Sequence, residues 1–458
     1  MVASSLPPRV VIAGTHSGVG KTTVATGLMA AFTATGVRVG TAKVGPDYID
    51  PGYHALASGS TPRNIDAWMC GLDWVPSMGA RAGAGKDLLI VEGVMGLFDG
   101  AADGTPSSTA EVATALAAPV ILVVDASSSS DSIAAVVHGF HTFRRGVSLA
   151  GVVLNRLGSD SHEQAVRAAV TAVGLPVLGA LRRDDQLTWR DRHLGLVPVV
   201  ERPGEVVESL ARLGAAVAQR CDLDAIHAVA RSAPRAAVSE TRTESRTEPE
   251  PELPRGRRPR VAVAGGRAFS FTYADNLEAL EAAGADIVGF DPLIDEHLPD
   301  CDALVAGGGF PEVYGTELAR NTNLMREVAT AIEGGLPTWA ECGGLLWLSR
   351  RLDREPMVGA LDATTTMTDR LELGYRQATF RRDTPLGPAG TTVRGHEFHY
   401  SRTDPPGDLL DLVGRTGAAR GGHGGPRLLA SYLHIHLGGR FDLAQAFVST
   451  ALPSPYPG

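Results

Sequence analysis

Short apolar, β-branched runs alternate with longer Ala-rich segments of helical character through the first half of the chain. Arg9–Ala13, Leu88–Val91, Val120–Val124 and Gly151–Leu154 read as strands, and this alternation predicts a parallel α/β sheet. From Ser232 to Arg260 the sequence SAPRAAVSETRTESRTEPEPELPRGRRPR is almost free of large apolar side chains and reads as a solvated linker. The strand pattern then restarts with Arg260–Gly266, Asp286–Asp291, Ala303–Gly309 and Pro337–Glu341. RVVIAG at Arg9 and RVAVAG at Arg260 look alike, but the segments after them diverge at once, so they are two similar first strands and not a repeat. The expected fold class is α/β in two domains, 7–231 and 259–450, joined by a disordered or extended linker over 232–258.

Composition agrees. At about 150 residues per domain, 458 residues allow two to three domains, and 44% apolar with 20% charged residues excludes wholesale disorder. Glycine is abundant, 54 residues, implying many tight turns. A net charge of -9, from 42 basic and 51 acidic residues, argues against nucleic acid or anionic lipid as a general partner. Cys70, Cys221, Cys301 and Cys342 are scattered without a CxxC pair, which fits a reducing compartment better than a disulfide framework or a zinc site. The start lacks an apolar signal core, and the longest apolar stretch, Val112–Val124, is broken by Thr114 and Pro119 and falls short of about 20 spanning residues. The expectation is a cytoplasmic chain with no membrane partner.

Val10–Phe32, VVIAGTHSGVGKTTVATGLMAAF, is a buried strand, a glycine loop and a helix opening at Lys21–Thr23. Glycines there let successive N–H groups turn toward phosphate oxygens, and the helix N-terminus adds its dipole. Thr15, Gly18, Gly20, Lys21, Thr22 and Thr23 are the candidate ATP contacts, with Lys21 on the β/γ-phosphates and Thr22 as a magnesium ligand. Strict GxxxxGK spacing would put glycine where Thr15 stands; Gly14 is one residue early, so the loop is a variant.

Thr41–His54, TAKVGPDYIDPGYH, ends a strand at Val44 and releases Asp47, Tyr48 and Asp50 into a loop, where open parallel sheets carry their sites. Asp87–Gly100 is an apolar strand ending in Glu92, with Asp99 beyond it. Magnesium on ATP phosphates takes one or two protein carboxylates plus the loop hydroxyl, so Thr22, Asp47 and Glu92 form the candidate metal set. Asp50 and Asp99 also read as turn caps before Pro51 and Gly100. Asn155 ends a strand, where its amide either meets a purine edge or forms a turn. His54, His162 and His193 lie near loops without metal-ligand spacing and read as ordinary surface or turn histidines.

In the second domain PTWAECGGLLWLS (Pro337–Ser349) runs a strand through Glu341-Cys342-Gly343-Gly344 into an apolar helix, which predicts a nucleophile elbow at Cys342. A helix N-terminus favours the thiolate there. AGGGFPE (Ala306–Glu312) is either an oxyanion turn or a plain glycine turn. ASYLHIHLGG (Ala430–Gly439) places His434 and His436 on one strand face, one of them to serve Cys342 as base. RGHEFHYS (Arg394–Ser401) either lines a substrate passage or pairs within the sheet.

Together, Gly14–Thr23, KVGPDYIDPGYH, VEGVMGLFDG, SSTAEVA (Ser107–Ala113), GGGFPE, ECGGLLWL and GHEFHYS resemble the cobyrinic acid a,c-diamide synthase family over nearly the whole chain. The resemblance implies an N-terminal P-loop parallel-sheet domain similar to dethiobiotin synthetase and a C-terminal class I glutamine amidotransferase domain of the cobyric acid synthase type. It implies ATP and Mg2+ as cofactors and a corrin polycarboxylate, cobyrinate or hydrogenobyrinate, and glutamine as substrates, with a homodimer left open. By resemblance Lys21, Lys43 and magnesium would stabilise the transferring phosphoryl group, and Asp47, Tyr48, Asp50, Glu92 and Asp99 would surround the metal and the reacting carboxylate. Cys342 would attack glutamine with help from His434, while Gly308 and Gly309 hold the oxyanion.

Two departures matter. A usual class I amidotransferase carries a His-x-Glu pair, whereas position 436 is histidine, which leaves the third triad member unassigned and His436 as an alternative base. Partition-type ATPases carry a signature lysine where this chain has His16, which disfavours a dimeric switch. The competing readings are a ligase acting on nickel-sirohydrochlorin or cobyrate carboxylates, and a nucleotide-dependent switch with an inert second domain.

Overall fold

Seven short strands, most of them buried apolar runs, build one sheet in the first half of the chain: β1 (Arg9–Gly14), β2 (Val39–Val44), β3 (Asn64–Ile65), β4 (Leu88–Glu92), β5 (Val120–Asp125), β6 (Leu149–Leu157) and β7 (Val177–Arg182). The computed structural model describes residues 6–183, 191–192, 195–196, 199, 203–235, 257–415 and 417–452. The strands lie in the order β3-β2-β4-β1-β5-β6-β7 and pair in parallel throughout. Parallel neighbours need crossovers, and helical crossovers cover both faces, so β1, β2 and β4 are buried at every residue. β1 lies between β4 and β5, so the chain turns to opposite sides of it, and such a switch point opens a crevice at the strands' C-terminal ends.

Helix α1 (Lys21–Ala34) follows β1 and α2 (Asp50–Ser58) follows β2. α1 has nine buried positions spread around its circumference because it lies under a further helix, Pro203–Arg220. Gly27 permits that approach: a Cβ there would fall 2.5 Å from Val217. Arg9 is buried and hydrogen-bonds the carbonyls of Leu116 (2.5 Å), Ala117 (3.2 Å) and Pro234 (2.9 Å), tying the segment after the helix Leu223–Arg231 to the sheet.

The chain divides into two units, Met1–Arg242 and Thr243–Gly458. The division falls within the expected linker, of which residues 236–256 lie outside the described residues. In the second unit a six-stranded sheet runs in the order Asp286–Phe290, Arg260–Ala264, Ala303–Ala306, Thr338–Glu341, Leu428–Ser431, His423–Gly425. All pairs are parallel except the last. A second sheet is built on a long antiparallel pair, Thr364–Phe380 with Thr392–Asp404, and the two-residue strand His434–Ile435 joins its edge, opposing His396 and Gly395. The RGHEFHYS segment therefore pairs within a sheet. Among the described residues no helix is long and apolar enough to cross a membrane.

Candidate active sites

The first site forms where β1 meets α1. Gly20 has φ 96°, a left-handed conformation suited to glycine, and a Cβ there would fall 2.2 Å from Asn155 Nδ2. Asn155 itself donates to the Val19 carbonyl at 2.9 Å. Its neighbour Arg156 donates to the Gly18 carbonyl at 2.8 Å and pairs with Asp125 at 2.5 Å. The two residues at the end of β6 thus brace the glycine loop. Thr15 donates its N–H to Val123 (3.3 Å), and Gly14 accepts from Leu97 N–H (2.8 Å), which seats the segment after β4 against the loop. Thr23 is half-buried in the first turn of α1.

Lys21 is buried, with Nζ donating to the His16 carbonyl at 3.2 Å. Burial, reinforced by Lys43, pulls its pKa down to about 8 against the attraction of Glu92, Asp50 and Asp99. Beneath it lies a buried ionic cluster. Lys43 Nζ is 2.7 Å from both Asp50 Oδ2 and Glu92 Oε1, and Thr22 Oγ1 donates to Glu92 Oε1 at 2.6 Å and to Asp50 Oδ2 at 3.2 Å. Burial works against charge on both Lys43 and Glu92, but Asp50 and Glu92 together hold Lys43 above its ordinary pKa, and Lys43 with His54 holds Glu92 well below the usual carboxylate range. Burial and the nearby Asp47 lift Asp50 to about 6.

The two loop aspartates divide between the turn and the ionic cluster. Asp47 Oδ1 accepts the N–H groups of Ile49 (2.7 Å) and Asp50 (3.0 Å), fixing the turn into α2, whereas Asp50 joins Thr22 and Glu92. Asp99 Oδ2 accepts the Gly96 N–H at 2.8 Å, as a turn cap would, and its charge also acts on Lys21. Tyr48 is half-buried on the same loop as Asp47. His54 corrects the sequence reading: it is fully buried, with Nε2 2.6 Å from Glu92 Oε2. Its one signal was position, a turn along α2 from Asp50, on the buried face that a loop reading overlooks. His162 behaves as expected, with Nε2 against the Ser129 carbonyl at 2.7 Å, and His193 lies outside the described residues. Removing one partner of a buried ion pair strands the others, so Lys43→Met should cost the first unit about 3–5 kcal/mol. Urea unfolding with and without the substitution checks this; a loss under about 1 kcal/mol contradicts it.

The second site lies after the strand Thr338–Glu341. Cys342 has φ 47° and ψ -100°, a conformation L-residues rarely adopt, and the helix Gly343–Leu348 begins immediately after it. This is the strained elbow the sequence predicts. Its N–H donates to the Ser431 carbonyl at 2.7 Å. His434 is buried and shares a hydrogen bond with Cys342. Its Nδ1 is 3.5 Å from Glu341 Oε2, while Glu341 Oε1 accepts the Ile435 N–H at 2.9 Å. Burial alone would lower the His434 pKa, but Cys342 and Glu341 raise it to about 10. His396 stacks on His434 with ring centroids 4.8 Å apart, and burial and its histidine neighbours hold it well below the ordinary value. His436 faces elsewhere: its Nδ1 accepts the Gly438 N–H at 3.0 Å and its ring packs 4.5 Å from Tyr273.

Gly308 and Gly309 lie against this pair. A Cβ on Gly308 would fall 2.4 Å from His434 Cε1, so the imidazole rests on bare backbone. The Gly308 N–H donates to the Phe271 carbonyl at 3.0 Å, which removes it as an oxyanion donor. Gly309 and Gly343 are the adjacent alternatives, since a Cβ on Gly343 would lie 2.9 Å from Gly309 N.

The two units match two known domain families. Residues 10–197 match the CobQ/CobB/MinD/ParA nucleotide binding domain, and residues 260–441 match the CobB/CobQ-like glutamine amidotransferase domain. The chain is 48% identical to a hydrogenobyrinate a,c-diamide synthase of Streptomyces coelicolor, covering 97% of this chain and 98% of that protein. It is 46% identical to one of Thermobifida fusca, covering 99% of each. It is 41% identical to a cobyrinate a,c-diamide synthase of Synechococcus, covering 96% of this chain and 97% of that protein.

Proposed function

The chain belongs to the a,c-diamide synthase family of glutamine-dependent amidating ligases, and from that premise we propose that it converts the a- and c-acetate carboxylates of hydrogenobyrinate or cobyrinate to amides. ATP and glutamine drive the reaction, a step of cobalamin biosynthesis. One observation carries this reading: a single chain holds both a phosphate loop above a buried Lys43–Asp50–Glu92 cluster and a strained Cys342 hydrogen-bonded to His434.

A carboxylate is a poor electrophile. Its oxygen attacks the γ-phosphorus of ATP, ADP departs, and the acyl phosphate then loses phosphate to ammonia as the amide bond forms. In the first unit Lys21 stands at the helix N-terminus, placed to meet phosphate oxygens. Lys43 fixes Asp50 and Glu92, and His54 holds the far oxygen of Glu92. Thr22, Asp50 and Glu92 present converging hard oxygen donors, the type magnesium selects, and are the residues that would hold it. Bound there, it supplies neutralising charge for the phosphates.

In the second unit Cys342 attacks the glutamine carboxamide and His434 gives its proton to the departing nitrogen, releasing ammonia. Water then cleaves the thioester to glutamate and restores the thiol. Gly309 and Gly343 N–H groups would stabilise the oxyanion. Ammonia needs a sheltered route to the acyl phosphate, since water at neutral pH turns it into non-nucleophilic ammonium.

Incubation with ATP, magnesium, glutamine and either macrocycle, followed by mass spectrometry, tests the reading. Two amides on one macrocycle are expected. No amide on either, with glutamine-dependent ATP turnover on nickel-sirohydrochlorin or cobyrate instead, would overturn the substrate and keep the chemistry.

A further inference from the structure

We infer that Glu341 is the acid that completes the Cys342–His434 pair, a positioning residue supplied by the nucleophile's own strand instead of the base's strand. The inference rests on the reading that the second unit hydrolyses glutamine.

Three observations carry it. The position two residues after the base, where a class I amidotransferase would have its acid, is His436, whose Nδ1 is committed to the Gly438 N–H. Glu341 fills the vacancy from the opposite direction: one oxygen lies 3.5 Å from His434 Nδ1, and the other accepts the Ile435 N–H at 2.9 Å. Both oxygens therefore grip one short segment, the first through its ring and the second through its backbone. Finally, Glu341 and His434 are both buried, where a carboxylate is tolerated only with such partners.

The topology explains how neighbouring residues serve one ring. Glu341 pairs with Ser431 across the parallel sheet, and the chain returns from Ser431 to His434 within three residues. In a regular strand Glu341 and Cys342 would point to opposite faces. The positive φ of Cys342 breaks that alternation, so acid and nucleophile meet the same imidazole. A carboxylate on Nδ1–H fixes the tautomer and leaves Nε2 for the thiol. Position 436 is then free to be histidine.

Glu341→Gln tests the assignment because an amide oxygen can still accept the Ile435 N–H while an NH2 group faces Nδ1–H. Glutamine hydrolysis should lose about 100-fold in kcat with KM within about threefold. Alkylation of Cys342 by iodoacetamide at pH 6, followed on its peptide by mass spectrometry, should slow about 10-fold, the gap closing as pH rises. Glu341→Asp should recover part of both. Wild-type hydrolysis and alkylation in Glu341→Gln would overturn the inference, as would loss of hydrolysis in both variants with alkylation unchanged, the mark of a purely structural tie to Ile435. If circular dichroism shows Glu341→Gln unfolded, Glu341→Asp decides: a withdrawn carboxylate should slow hydrolysis at pH 6 at least about fivefold, and an unchanged rate overturns the assignment. None of these readouts uses a macrocycle, so a wrong substrate leaves them intact. Absence of glutamine hydrolysis in the unsubstituted chain would instead overturn the reading beneath them.

Discussion

Cys342→Ser is expected to reduce glutamine-supported amidation at least about 1000-fold while ammonia-supported amidation stays within about twofold. In the proposed reaction the thiol is the nucleophile, and a hydroxyl in its place is far harder to deprotonate. Serine matches cysteine in shape and meets the same backbone demand at φ 47°, so the elbow should persist. The phosphate loop and its ionic cluster lie wholly in the first unit, so ammonia added from solution should still find an activated carboxylate. Rates with glutamine and with ammonium chloride at alkaline pH separate the halves of the reaction. Loss of both activities would contradict the division of labour.

Lys21→Ala should produce the converse pattern. Amidation should fall at least about 100-fold with either nitrogen source, because in the proposed reaction Lys21 is the loop cation that meets the transferring phosphoryl group. Iodoacetamide should still alkylate Cys342 at the unsubstituted rate. The pH dependence adds a second check. With its pKa pulled down to about 8, Lys21 is charged below that pH and neutral above it. ATP affinity should therefore weaken as pH climbs through about 8, and the trend should vanish in Lys21→Ala. Nucleotide titrations across that range measure it directly. Retained ligation in the variant would refute the loop assignment.

Local chemistry made much of this protein legible in advance. Short uniformly apolar strands separated by Ala-rich helices announce a parallel sheet, because only a sheet covered on both faces needs such strands. The glycine loop before Lys21 and the cysteine before Gly343-Gly344 are recognisable because their backbone demands fall on adjacent residues. Asn155 and Arg156 are different. Nothing near them in sequence hints that they brace a loop some 135 residues earlier, since that contact exists only once β6 lies two strands from β1.

The same distinction sorts the site residues. His54 passed for a surface histidine because no metal-ligand spacing surrounds it; its partner, Glu92, arrives from the end of β4. Asp47 and Asp50 are three residues apart on one loop, and only the start of α2 decides which caps the turn and which faces Lys43. Gly308 was a fair oxyanion candidate until Phe271 engaged its N–H. Glu341 was hidden beside Cys342 because adjacent strand residues ordinarily diverge, and a backbone torsion reversed that rule. Sequence by itself determined the two α/β units, the glycine loop and the strained turn at Cys342, features whose physics is local. Tertiary structure decided which carboxylates join, which histidine lies against the thiol and which acid lies beside that histidine, because each depends on strands distant in sequence meeting at one edge.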